Sequence, residues 1–200
     1  MVVMNGEFQV AQYGQWDGYP EGQGVTILEF LRSADLAAFA NKIRTDVSFI
    51  TEAQWKKIID EHTDNGSVTY GSEHDRYWKE HLSHLDRDIG GEILQRILET
   101  DGPILLRDSL SFAGDSLFCE WAYLVDLDNM KLEVYEGFNK EPVTEGRFKT
   151  GDENLESSGN GESHPIRLIK TFDLDALPTR DEFVAEVTAA SRYPDEDDEE

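Results

Sequence analysis

The amino-acid sequence predicts an α+β domain, a largely antiparallel sheet with a helical middle segment packed against it. Three observations carry that expectation. GEFQVAQY, Gly6 to Tyr13, alternates apolar and polar residues as a strand does; helical spacing governs the chain from Val25 to Leu98; and strand grammar returns from Gly102 onward. No linker rich in proline, glycine or serine divides the 200 residues, so residues 1–193 are read as one domain. The last seven residues, PDEDDEE from Pro194 to Glu200, hold six acids and no apolar residue, and are read as a disordered acidic tail.

In order along the chain, apolar Phe8 and Val10 alternate with polar Glu7 and Gln9 along the first strand. A glycine-rich segment then leads to VTILEFLRS, where Ile27, Leu28 and Leu31 fall at helical spacing with Gly24 at the start. A second helical pattern covers Leu36 to Ile43. Thr51 and Gln54 form a capping box ahead of Trp55, Ile58 and Ile59 on one face. Ser72 caps a further helix carrying Trp78, Leu82 and Leu85, and helix resumes over Ile89–Leu98 after the Gly90-Gly91 interruption.

Pro103 opens the short apolar run Ile104-Leu105-Leu106. FCEWAYLVDLD is apolar at nearly every position, as a central strand covered on both faces requires. Asp128-Asn129 turns the chain into KLEVYEG, giving a β-hairpin. GDENLESSGNGESH, residues 151–164, is a polar loop. PIRLIKTFDL supplies another strand, and Thr179 with Glu182 caps a final helix that turns Phe183, Val184 and Val187 inward.

Charge narrows the function classes. Forty-two acidic against eighteen basic residues give a formal net charge of −24, so direct binding to nucleic acid or an anionic membrane is opposed by repulsion. The acidity supports three readings: a strongly solvated surface, adaptation to high salt, or mimicry of phosphates toward the basic groove of a nucleic-acid-binding protein. Removing the tail leaves most of the charge on the body. The absence of a basic, apolar leader and of an apolar run near 20 residues points to a cytoplasmic protein. A lone cysteine, Cys119, fits a reducing compartment.

Several apparent motifs dissolve on inspection. GDSL, Gly114 to Leu117, spells an esterase nucleophile block but stands mid-chain without its histidine block, so Ser116 is read as part of a turn. DLDNMKLE at Asp126–Glu133 lacks the central glycine of a calcium loop. His74, His81 and His84 fall on one helical stripe, at the polar edge of the stripe formed by Trp78, Leu82 and Leu85. No catalytic set, metal site or cofactor is assigned.

One stretch concentrates unusual chemistry: YGQWDGYPEGQG, Tyr13 to Gly24. Four glycines and the Asp17-Gly18 and Pro20-Glu21-Gly22 turn signals predict a compact Ω-like loop. Tyr13, Gln15, Trp16, Asp17, Tyr19 and Glu21 are its candidate binding residues. Two acids beside flat rings suit a cationic or hydrogen-bond-donating partner better than a phosphate.

The strings QYGQWDGYPEGQG and CEWAYLVDLDNMKLEVYEG resemble an uncharacterised family found in phages, bacteria and fungi. That resemblance implies that the loop matters and assigns no activity. The arrangement of an early strand, central helices and late antiparallel strands also resembles N-terminal-nucleophile amidohydrolases, which use a processed terminal Cys, Ser or Thr. Here Met1 is followed by Val2, and Cys119 falls in the expected central strand.

Two functional classes follow. The first is a non-enzymatic acidic binding protein, a viral inhibitor in one form of the reading, that engages a basic nucleic-acid-binding host protein. The second is a small-molecule enzyme or sensor in which the Tyr13–Gly24 loop walls a concave pocket.

Overall fold

The computed structural model describes residues 1–156 and 163–192; the acidic tail and the middle of the polar loop 151–164 lie outside the described residues. The architecture is α+β. A five-stranded sheet is built from β1 (Val2–Asn5), β2 (Glu7–Ala11), β5 (Trp121–Asp126), β6 (Lys131–Glu136) and β7 (Arg167–Asp173), in the order β2-β1-β5-β6-β7. Neighbours pair antiparallel except β1 and β5, which run parallel. A second, two-stranded parallel sheet joins β3 (Val47–Phe49) to β4 (Ile104–Leu106).

Strand β5 is the central strand that its composition requires. Tyr123 and Val125 face a core shared with α1 (Val25–Ser33), α2 (Leu36–Asp46), α5 (Ile93–Glu99) and α6 (Arg180–Ala190). Ala122 and Leu124 face the opposite side, where Ala113, Cys119, Phe148 and Ile166 close a smaller core. Phe39, Ile27, Leu28, Ile93, Leu94 and Phe183 are fully buried in the larger one. Burial of this kind, at roughly 25 cal/mol per Å² of apolar surface, is the main force holding the helices to the sheet.

The β5–β6 hairpin turns as the sequence indicates. The Asp126 carboxylate accepts the backbone N–H of Asp128 (3.0 Å) and Asn129 (2.9 Å), fixing the turn from within. Gly6, with φ +80°, makes the β1–β2 turn and donates its N–H to Asp128 (2.6 Å), so the two hairpin tips are tied together. Both capping boxes form, at Thr51–Gln54 before α3 (Glu52–His62) and at Thr179–Glu182 before α6.

Differences from the sequence reading are local. Strands β1 and β3 are not expected from the sequence pattern. Ser72 caps α4 (Glu73–Tyr77), but that helix loosens into a wide turn over Trp78–Leu82 and a tighter one over Ser83–Leu85. The single stripe expected to gather His74, His81 and His84 is therefore broken. Among the described residues no helix is long and apolar enough to cross a membrane.

Candidate functional site

Strand β2 delivers the chain to the loop at Ala11, and the loop's base is fastened to residues far along the sequence. The Gln12 side-chain amide donates to the carbonyls of Tyr13 (2.9 Å) and Asp86 (3.0 Å), and the Gln15 N–H donates to the carbonyl of Arg87 (3.0 Å). Tyr13 sets the edge of its ring against Phe112, with centroids 5.0 Å apart.

The turn itself closes on its own backbone. Asp17 adopts a left-handed conformation, φ 56°, and its carbonyl accepts the Gln23 N–H (2.8 Å). The Tyr19 carbonyl accepts from Gly22 (3.1 Å). A Cβ at Gly22 would overlap the Asp17 carbonyl, so glycine is required there by close approach. Residues Pro20–Gly24 then form a single wide turn that runs directly into α1.

Gln23 is the keystone of this arrangement. Its Oε1 accepts the Gly91 N–H (2.6 Å) and its Nε2 reaches the Trp16 carbonyl (3.4 Å). Gly90, at φ +51°, lies flat against the Gln23 amide, where a Cβ would collide with it. From the sheet side, the Tyr123 hydroxyl donates to the Gly18 carbonyl (2.9 Å). Burial, followed by the charge of Glu21, holds that phenol well above its ordinary pKa, so it stays a donor.

The candidate residues divide into two groups. Tyr13 and Gln15 are half-buried and belong to the base; Gln15 Oε1 is a buried acceptor with no donor. Trp16 and Tyr19 stand out to solvent, 61% and 48% exposed, beside the exposed carboxylates of Asp17 and Glu21. The Tyr19 hydroxyl donates to Asp17 Oδ1 (3.2 Å), and that bond, with the Asp17 charge, raises the Tyr19 pKa. Two flat rings and two carboxylates thus project from a backbone held at five or more points. Gln12, Gln23 and Tyr123 fasten the backbone, and the Trp16 and Tyr19 rings stay exposed.

These four outward residues line none of four surface concavities formed by described residues. Only Tyr13 and Gly14 touch one, a pocket of about 60 Å³ beside Gln12 and Cys119. Sequence reasoning missed Gln23, Gly90, Gly91 and Tyr123. The glycine pair was visible as a helix interruption, but nothing local links it to a glutamine 68 residues away.

The other motifs fall into structural roles. Ser116 is fully buried and its hydroxyl accepts the Asn139 N–H (3.1 Å). Cys119 is buried, which pushes its thiol up to about 12 and leaves it without thiolate character at neutral pH. His62 and Tyr77 stack with centroids 4.2 Å apart, and His81 tilts against the same ring. Among the described residues no group of three or more His, Cys, Asp or Glu side chains is placed to hold a metal ion.

Comparison with known proteins finds no match to this chain, whether among family models, curated proteins or solved structures.

Proposed function

We propose that the protein is a binding module whose Tyr13–Gly24 loop docks a basic segment of a protein partner, of the kind that itself binds nucleic acid. The observation that carries this reading is the exposure of Trp16 and Tyr19 on a backbone anchored through Gln23, Gly91 and Tyr123. Tryptophan and tyrosine are the side chains that most often dominate interface energetics, because they bury much area with few rotors to freeze. Anchoring the backbone in advance removes an ordering cost that a mobile loop would bear on binding. Asp17 and Glu21 beside the rings select for cationic partners, since arginine can stack on a ring face while its guanidinium meets a carboxylate. The surrounding negative charge adds long-range steering toward a basic surface.

The outward exposure of Trp16 and Tyr19 favours a macromolecular partner over a ligand enclosed by the loop. Full-length protein and two double variants, Trp16→Ala/Tyr19→Ala and Asp17→Lys/Glu21→Lys, are used for affinity capture over a salt series. The reading expects a basic protein that the wild type retains at low salt, loses as salt rises, and that both variants retain at least about tenfold more weakly. Equal capture by wild type and variants contradicts it.

A further inference from the structure

We propose that a second site, the cleft between α3 and residues 63–87, binds a nucleoside monophosphate, a ligand that joins a flat ring to a compact anion. The cleft measures about 520 Å³, a volume suited to a small organic molecule. Trp55 and Trp78 line it and meet edge to face, with centroids 6.3 Å apart. Tyr70 stands at its rim, 90% exposed, with the Lys79 ammonium 4.7 Å from its ring centre. Such rings offer stacking platforms that accept a nucleobase of any sequence identity.

The charges in this cleft run against the composition of the chain. Acids outnumber bases 42 to 18, yet Arg87, Arg107 and Lys79 all face the same space. Lys79 is neutralised by Asp75 at 2.9 Å, and Asp75 also accepts the Gly71 N–H (2.9 Å). Neither guanidinium has a carboxylate partner within ion-pair distance among the described residues, although Asp86 lines the same wall. Instead the Arg107 guanidinium lies over the Trp55 ring at 4.5 Å. Stacking in that way presents an arginine's donors edge-on, the orientation that a phosphate accepts in bidentate fashion.

The net charge that opposes a nucleic-acid strand acts on every phosphate along it. A ligand with one phosphate meets that repulsion once, and here it meets two arginines first. The division of labour is then specific: Trp55 orients Arg107, Arg87 and Arg107 hold the phosphate, and Trp78 and Tyr70 contact the base.

Titration calorimetry on the full chain tests this with the four ribonucleoside 5′-monophosphates, with adenosine, and with inorganic phosphate. At least one monophosphate is expected to bind, more tightly than either adenosine or phosphate alone. Arg107→Gln and Arg87→Gln, both at exposed positions, are each expected to weaken it about tenfold or more while leaving the circular dichroism spectrum unchanged. The proposal is overturned if no monophosphate binds at millimolar concentration. It is equally overturned if phosphate or adenosine alone binds as tightly, or if both arginine variants retain wild-type affinity.

Discussion

A glutamine that reads as loop filler in the sequence holds the candidate loop in place. Gln23 accepts the Gly91 N–H and reaches the Trp16 carbonyl, so truncation leaves a partly buried N–H without an acceptor and the tip of the loop without its tether. Gln23→Ala is expected to lower stability by about 1–3 kcal/mol, read as a reduced urea midpoint. It should also speed hydrogen exchange at the Gly91 amide; unchanged exchange there would show that the contact does not persist in solution. Residue-level burial makes a second prediction at His84. Burial, then the positive charge of Arg96, lowers its pKa from the ordinary 6.5 to about 4. The unfolded chain therefore takes up this proton before the folded one. The stabilisation is present above about pH 6.5 and is lost as pH falls through about 4. An NMR titration of the His84 imidazole should give a midpoint near 4, and a midpoint near 6.5 would contradict the burial described here.

At the scale of elements, the segment between β6 and β7 packs Phe148 and Ile166 against the sheet and adds a charged anchor at Arg147. Arg147 donates to both Glu133 oxygens (2.8 and 3.0 Å) and to Asp126, while the Tyr135 hydroxyl donates to Glu133 (2.6 Å). Burial pushes the Asp126 carboxyl up, but hydrogen bonds from Asn129 and Arg147 outweigh it and hold the group below the ordinary carboxylate range. The Arg147 guanidinium is held more firmly protonated than usual, chiefly by its bonds to Glu133. Arg147→Met leaves Asp126 fully buried and without its cation, and should cost about 3 kcal/mol in urea unfolding; a loss below about 1 kcal/mol would place the pair among weak surface contacts. The local chemistry of elements was legible in sequence. Both capping boxes, the Ser72 cap, the β5–β6 turn and the two-faced burial of β5 depend on residues within a few positions of one another. What escaped was non-local. Val2-Val3-Met4 carries no alternation, because β1 lies inside the sheet between β2 and a parallel β5 more than a hundred residues away. β3 has three residues and exists only by pairing with β4. The histidine stripe failed because α4 ends after five residues, where successive wide and tight turns rotate the following side chains off the helical period.

Across the whole molecule, exposed acids occur on α1 (Glu29), α3 (Glu52, Asp60, Glu61), α4 (Glu73), α5 (Glu99) and α6 (Asp181), as well as on the β1–β2 hairpin at Glu7. Charge of that kind is distributed over elements rather than collected by one, so specificity for a basic partner must come from a particular surface. In the docking proposal the loop is that surface, with two rings and two carboxylates on an anchored backbone. The α+β class was legible from the change of pattern at Gly102, and the compact turn of Tyr13–Gly24 from its glycines and its Asp17-Gly18 and Pro20-Glu21-Gly22 signals. Which of its side chains point outward was not, because that is decided by Gly91, Tyr123 and Phe183, which pack beneath the loop from distant parts of the chain. The docking claim is tested most directly by hydroxyl-radical footprinting of Trp16 and Tyr19 in the free protein and in its complex with the basic partner recovered by capture. Both side chains should react readily when the protein is free and become protected together in the complex. A complex that forms while both remain as reactive as before would contradict the assignment of the loop as the docking surface.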